Sequence, residues 1–271
     1  MKEFTLFRTL KSRLIFWFAA ICIVPLLLVT SIIYFQRAEV LRGLISDKLS
    51  AVTSLRQDQI NFVLDNMVMD TTTLAHGKTV REAAITLLKK APAAGKAPEL
   101  NPSAIIKAYK ENYSAVIDIS IVAGNGTILL STNKGKTGSS VASPAIVASA
   151  LRANAPALGD VYLSNIDKVV VMDVAAPIWS GGAKIDAALV IRYDFQNMLG
   201  NIMENRTGMG KTGESLLVNR DVVPITVLRS LPGAAFKIKI KGRPAMLAAQ
   251  GQTGIAETID YRGEKVLAAY T

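Results

Sequence analysis

The feature that most constrains this chain is the run LIFWFAAICIVPLLLVTSIIYF, residues 14 to 35, in which no side chain is charged. About 20 apolar residues cross the hydrocarbon core of a bilayer as one helix. A cleaved secretory signal has a shorter apolar segment, roughly 7–15 residues, and a small-residue cleavage site. This run is longer and leads into QRAEVLRG with no such site, so a retained transmembrane helix is the reading it supports. Pro25 within it predicts a kink, which membrane helices tolerate. Lys2, Arg8, Lys11 and Arg13 precede the span against a single acid, Glu3. The basic flank puts residues 1–13 in the cytoplasm as a short tail and the remainder of the chain outside it. A plasma membrane is the expected location, with the outer part on its extracytoplasmic side.

Beyond the span the apolar positions become periodic. Val40, Leu41, Leu44, Ile45, Leu49, Val52, Ile60, Val63, Leu64 and Met67 recur at intervals of three and four, with Asp47, Lys48, Arg56 and Gln57 between them. That is an amphipathic helix. No proline interrupts residues 36–77, and Gly77 is the expected stop of a long stalk helix. VREAAITLLKKA reads as a second helix, PAAGKAPELNP as a linker, and PSAIIKAYKENY as a third helix with Pro102 in its first turn.

From Ala115 the period falls to two. Ile117, Ile119 and Ile121 alternate with Asp118 and Ser120, and Asn125-Gly126 is a strong hairpin signal. SPAIVASALRAN predicts a bridging helix. DVYLSN, KVVVMDVAAPIWS and KIDAALVIRYD predict three more strands, the last two turning at Gly181-Gly182. A shorter succession follows: FQNMLGNIMENR as helix, ESLLVNRD as strand, AMLAAQ as helix, then AETIDYR and KVLAAYT as a hairpin about Arg262-Gly263. Helices followed by an antiparallel meander with a crossing helix make the fold class α+β. The order of elements suggests two stacked modules on one long helix, at residues 78–200 and 201–271.

TGMGKTGES, residues 207 to 215, has the ending of a phosphate-binding loop, Gly210-Lys211-Thr212. The motif needs a glycine five positions earlier, where Asn205 stands. Its context is also reversed: such a loop follows a strand and opens a helix, so that the helix N-terminus meets the phosphates. Here the segment follows a helix. Its glycines are those of a turn needing positive φ.

The same segment carries a resemblance. GKTGESLLVNRD is similar to the start of the membrane-proximal module of double Cache sensor domains. DVYLSNIDKVVVMDVAAPIWSGGAKIDAALVIRYDF resembles the closing strands of their membrane-distal module, and GQTGIAETIDYRGEKVLAAYT the final hairpin of the proximal one. With the anchor and the stalk, the likeness covers nearly the whole chain. It implies two PAS-like antiparallel-sheet modules, the proximal one incomplete, and a chain cut before a second membrane helix. It further implies a homodimer that senses a small molecule outside the cytoplasm and signals across the membrane. The output would be a histidine kinase in the first place, otherwise a diguanylate cyclase or a chemoreceptor domain. The different-class alternative is a membrane-anchored interaction or adhesion module with no small-molecule ligand.

In that family the ligand, often an amino acid or a carboxylate, sits in the distal module. Strand alternation nominates Asp118 and Ser120, which oppose the isoleucine face, and Tyr162 and Ser164, which share a face. Asp173 and Arg192 interrupt apolar strands; unpaired burial would cost several kcal/mol. They are therefore paired with each other, bound to ligand, or at an open rim. Amino-acid-binding members carry an arginine two residues before Trp-Tyr, then a tyrosine and a downstream aspartate. GSSVASPAIVASAL lacks the first part, Tyr162 matches the tyrosine, and Arg192 falls at the aspartate position. An Arg192-held carboxylate is the corresponding expectation.

Several classes fall away. The net charge of +10 comes without a basic helix or aromatic platform, so no nucleic-acid partner is expected. His76 is the only histidine and has no acidic or cysteine cluster at metal-ligand spacing. No serine–histidine pair is available, and Asp221 and Glu214 are scattered carboxylates. The expected inventory is no catalytic residue, no metal and no cofactor. Cys22, the sole cysteine, lies in the span, so no intrachain disulfide forms.

Overall fold

The computed structural model describes residues 10–89, 102–180 and 183–271. The first part of the tail (1–9), most of the expected linker (90–101) and the Gly181-Gly182 turn lie outside the described residues. The span and the stalk are one helix, α1 (Leu10–Ala75), which runs through Pro25. At 1.5 Å per residue it is about 100 Å long. It is the one helix among the described residues long and apolar enough to cross a membrane, and its apolar window is wholly uncovered by protein. Trp17, Phe18, Ile21, Leu26 and Leu27 are all more than half exposed, which suits side chains solvated by lipid.

The helix ends at Ala75, and Gly77 takes an extended conformation as the N-cap of α2 (Lys78–Leu88). α3 (Pro102–Asn112) follows, then β1 (Val116–Ala123) and β2 (Ile128–Ser131). Their turn puts Gly126 at φ 87°, as the Asn-Gly signal predicts. α4 (Pro144–Ala153) crosses to β3 (Ala157–Leu163), β4 (Val170–Ser180) and β5 (Ala183–Asp194). These strands form an antiparallel sheet in the order β2-β1-β5-β4-β3, so the last strand in sequence is central in space.

Both faces of this sheet are covered, which explains why its inner strands read as nearly unbroken apolar runs. One face presents Ile119, Ile121, Met172, Val174, Leu189, Ile191 and Tyr193 to α1, α2, α3 and α5 (Phe195–Glu204). The other presents Val122, Ala175, Ala188 and Val190 to Ile146, Val147, Ala150 and Leu151 of α4. Asp118, Ser120, Asp173 and Arg192 belong by strand period to the α4 face, and all four are buried.

After α5 the chain builds a second, smaller core from Val222, Leu228, Ala234 and Ile240. α6 (Arg243–Ala249) packs there beside the hairpin β6 (Gly254–Ile259) and β7 (Lys265–Tyr270), whose turn has Gly263 at φ 86°. ESLLVNRD is not a strand of a ladder, contrary to the sequence reading. It makes one isolated bridge, Val218 to Pro224, and then turns back with Val222 at φ 62°. Two local causes compete with pairing. Asn219 Oδ1 accepts the backbone N–H groups of Asp221 and Val223, and Pro224 has no N–H to give a ladder.

Hydrogen bonds from two places on the stalk, Gln57 and Arg56, attach this second unit and the junction before it. Thr271 Oγ1 donates to Gln57 Oε1 at 3.1 Å. Arg56, on α1 and 8 % exposed, donates to Ser215 Oγ at 2.7 Å and to the carbonyls of Met203 and Asn205 where α5 ends. Helix C-termini leave carbonyls without intrahelical donors and carry partial negative charge, so a guanidinium there satisfies both. Burial lowers the Arg56 pKa from its usual value, and among the described residues no carboxylate forms an ion pair with it. The glycine turn fits against the same stretch of stalk: Gly208, at φ 87°, lies so close to Val52 that a Cβ would stand 2.7 Å from its Cγ2.

Arg56→Ala should therefore cost about 2–3 kcal/mol, the worth of a charged donor lost from buried acceptors. Urea unfolding of the full chain in detergent micelles measures it. A loss below about 0.5 kcal/mol, the range of an ordinary surface change, would show that the clamp is inert.

Candidate functional site

The site is built by strand register. Arg192 on β5 pairs laterally with Asp118 on β1 and with Asp173 on β4, so three charged side chains stand abreast on the α4 face. Ser120, Val190 and Ala175 form the next row. Tyr162, on β3 opposite Val171, closes the row from the far side.

The guanidinium grips Asp173 with two bonds, Nε to Oδ1 at 2.8 Å and Nη2 to Oδ2 at 3.1 Å. This is the fork geometry that makes arginine–carboxylate pairs strong. Nη2 also donates to Tyr162 Oη at 2.7 Å, and Tyr162 Oη donates to Asp173 Oδ2 at 2.8 Å. Nη1 reaches Asp167 Oδ2 at 3.1 Å. Burial alone would lower the Arg192 pKa, but the bonds to Asp173 outweigh it and hold the group charged, above its usual value. Burial, reinforced by the neighbouring Asp173, pushes the Tyr162 phenol up, so it serves as a neutral donor.

A second cluster joins the first. Asp118 Oδ1 accepts from Ser131 Oγ at 2.8 Å, Thr132 Oγ1 at 2.6 Å and the Asn133 N–H at 3.3 Å. Ser120 Oγ is a long 3.4 Å from Asp118 Oδ2. Lys136, from the single 3-10 turn Lys134–Lys136 between β2 and α4, brings Nζ to 3.2 Å from Asp118 Oδ2 and 3.9 Å from Asp167 Oδ1. Asp167 sits in the β3–β4 turn and also accepts from Ser164 Oγ at 2.8 Å. Its burial would raise its pKa, but the bond from Ser164 and the charges of Lys136 and Arg192 hold it below the usual carboxylate range.

These groups line one side of a pocket of about 130 Å³. Asp118, Ser120, Asp173 and Arg192 are in its wall, joined by Lys136, Ser139 and Ser140 and by the apolar Ile128, Val141, Ile166 and Val190. Tyr162 stands behind the wall as a partner of Arg192 and Asp173. Ser164 falls just past the end of β3, not within it, and its hydroxyl holds Asp167. The structure thus joins all six nominated residues in one network, four of them at the pocket surface.

Lys136 and Asp167 were not legible as site residues. Each lies in a polar stretch, STNKGKTGSS and SNIDK, where a lone charge reads as solvated. Only the fold shows that both chain segments close over the same sheet face.

The network sets an acid limit. Because the folded state holds Asp167 ionised below its ordinary value of 3.8, the unfolded chain takes up that proton first as pH falls. Its contribution to stability is complete above that value and disappears as pH drops through the folded value. Comparing the wild-type chain with Asp167→Asn from about pH 5 to about pH 3 should show a shallower fall in Tm for the variant. Parallel profiles would mean that Asp167 has no special partners.

No protein-family model matches the chain, and no curated protein does. Solved structures do match. The sensory domain of the Campylobacter jejuni chemoreceptor Tlp3, with isoleucine bound, is similar with a TM-score of 0.59 at 14% identity, over 86% of this chain and 89% of that one. The ligand-binding domain of the Pseudomonas aeruginosa amino acid chemoreceptor PctC, in complex with GABA, gives 0.57 at 14% identity, over 82% and 89%. The Tlp3 domain with L-valine gives 0.56 at 14% identity, over 86% and 90%. The long N-terminal helix with its mixed helix and antiparallel sheet is thus the fold of chemoreceptor sensory domains, consistent with a Cache-type sensor architecture.

Proposed function

We propose that this chain is the small-molecule-sensing part of a transmembrane signalling receptor, with its ligand bound at the pocket walled by Asp118, Ser120, Asp173 and Arg192. The observation that carries the reading is that the buried charge of the sheet is gathered on one face, where it lines a cavity. Burying three charged side chains, Asp118, Asp173 and Arg192, and closing two half-buried ones, Lys136 and Asp167, over them has no use in a purely adhesive module, which needs its chemistry on the outside. The likeness to domains bound to isoleucine, valine and GABA supports a small organic ligand. A chemoreceptor output stands beside a histidine kinase or a diguanylate cyclase for the complete receptor.

Signalling requires that ligand favour one of two arrangements of α1. Arg192 and Tyr193 are consecutive on β5 and point to opposite faces. Arg192 meets the pocket, while Tyr193 Oη contacts Thr71 Oγ1 at 3.2 Å and donates to the Met67 carbonyl at 3.3 Å on the stalk. A shift of the central strand would reach the helix through this pair.

The reading calls for a ligand-dependent stabilisation of the full chain in lipid nanodiscs. A ligand at about 100 times its Kd adds about 2.7 kcal/mol, a rise in Tm of several degrees for a chain of this size. A panel of amino acids, carboxylates, amines and sugars that leaves Tm unmoved would favour the adhesive alternative.

Orientation and pairing belong to the same proposal. Leu55, Phe62 and Met69 are exposed on α1 one heptad apart, the spacing of a coiled-coil seam. In cells carrying Cys22→Ser with Phe62→Cys, a membrane-impermeant bis-maleimide should link two chains. Linking only after lysis would reverse the orientation; single-chain adducts alone would remove the dimer.

A further inference from the structure

Charge is unevenly spread along the chain, and one stretch of the second unit takes an extreme share. From 222 to 256 there are five basic residues, Arg229, Lys237, Lys239, Lys241 and Arg243, and no acid. The last four recur at every second position, in FKIKIKGR. The backbone there has one wet side. Lys237, Lys239, Lys241 and Arg243 are exposed, while Ile238 and Ile240 between them turn to the small core. The Ile240 N–H donates to the Val222 carbonyl at 2.9 Å, and Gly242 is extended, at φ −64° and ψ 130°. Two residues of extended chain rise about 6.6 Å, so the row sets like charges side by side. Among the described residues none of the four is in an ion pair.

Apolar side chains flank the row. Met246 is one turn beyond Arg243 on α6, the spacing of one helix face, and is 40 % exposed. Ile259, at the end of β6, is 59 % exposed, and its carbonyl oxygen would stand 3.6 Å from a Cβ on Gly242. Cations beside exposed apolar groups are the composition of surfaces that lie on anionic bilayers. The fold also sets the patch low on the stalk. The open end of the β6–β7 hairpin is held at Gln57 through Thr271. Its tip is tied the other way. Tyr261 Oη accepts the Ser230 N–H at 3.4 Å, and the neighbouring Arg229 donates through Nη1 to the Lys211 carbonyl at 2.8 Å. Gly208, in the same glycine turn as Lys211, sits against Val52 and Lys48. Val52 stands about 25 Å along α1 from Phe35, the last residue of the apolar run. A unit of residues 201–271 has a radius of gyration of about 11 Å, so its lower edge comes within about 10 Å of the headgroup layer. That is about one Debye length at physiological salt.

We propose that the row Lys237, Lys239, Lys241 and Arg243, with Met246 and Ile259, docks the second unit on anionic lipid headgroups of the membrane that α1 crosses, an inference that rests on the membrane reading of α1 and needs no ligand in the pocket. The lipid phosphates meet cations that the protein itself leaves unpaired, and the two apolar side chains enter the boundary with the acyl chains. Each Lys or Arg brought close to an anionic surface favours the docked state about fivefold. Arg56 and Thr271 fasten the same unit to the stalk. A docked unit therefore restrains the height and tilt of α1, and the charge of the membrane biases the arrangements of the stalk on which signalling depends.

Lysine footprinting of the full chain in nanodiscs, with an uncharged amine-reactive ester and mass spectrometry, tests this without altering the protein. Nanodiscs of phosphatidylcholine alone are compared with nanodiscs in which about one lipid in three is phosphatidylglycerol. Lys239 and Lys241 should react about fivefold or more slowly in the anionic nanodiscs. Raising salt to about 1 M, which shortens the Debye length to about 3 Å, should remove that protection. Lys78 and Lys107, exposed on α2 and α3, are the reference and should react equally in both lipids. Equal rates at Lys239 and Lys241 in the two lipids would overturn the proposal. So would slowing that extends equally to Lys78 and Lys107, which is a general effect of surface charge. Equal rates in the two lipids, with protection by soluble polyglutamate, would assign the row to an acidic protein partner instead. A chain that does not enter nanodiscs removes the membrane reading and the docking together; a chain that enters them and shows equal rates removes the docking alone.

Discussion

A guanidinium in the middle strand of a sheet covered on both faces can exist only if its charge is met on the spot. Taking an ion out of water costs several kcal/mol even after relaxation, and the attraction of a partner repays this only with good geometry and satisfied hydrogen bonds. Arg192 meets the condition with Asp173 beside it in register, Tyr162 across the edge strand and Asp167 above. The condition in turn fixes what surrounds it. β4 must sit beside β5 so that Asp173 falls opposite, and the β3–β4 turn must fold back to bring Asp167 down. A one-residue slip of β4 against β5 would send Asp173 into the apolar face against the stalk. The ion network therefore discriminates strongly against wrong strand registers.

The same constraint separates the two faces by function. On the stalk side Tyr193 is the polar exception; burial pushes its phenol up to about 12. It contributes hydrogen bonds to Thr71 and the Met67 backbone without a net charge. Among the described residues, the α4 side holds every buried ion of the sheet. Such partition lets the packed face act as a rigid support for α1, while the charged face gathers the groups that line the pocket.

The elements that sequence made legible were those with a long, regular period. The span, the stalk, the β1–β2 hairpin with its Asn-Gly turn and the two long strands β4 and β5 all follow from side-chain spacing that few other structures could satisfy. Asp173 and Arg192 stood out because charge is anomalous within an apolar run. ESLLVNRD misled because its alternation is that of a strand, whereas Asn219 and Pro224 redirect the backbone locally. By its spacing Arg56 belongs to the polar side of an amphipathic helix. Its burial depends on the end of α5 and on Ser215, more than a hundred residues further along, and no local pattern encodes that meeting. Lys136 and Asp167 were hidden for the same reason: long-range closure of two loops over one sheet face has no periodic signature.

The arrangement also explains why the binding chemistry can diverge while the scaffold persists. At 14% identity to the Tlp3 and PctC domains, few side chains can be shared, yet the fold is. The scaffold depends on the apolar face that holds α1, a constraint of volume and hydrophobicity that many sequences meet. The charged face depends on a count of charges and hydrogen bonds, which a single substitution alters. The charge of Arg192 at the site's centre is met by its two aspartate partners, Asp173 and Asp167. The ammonium of Lys136, between Asp118 and Asp167, ties the two clusters of the network together.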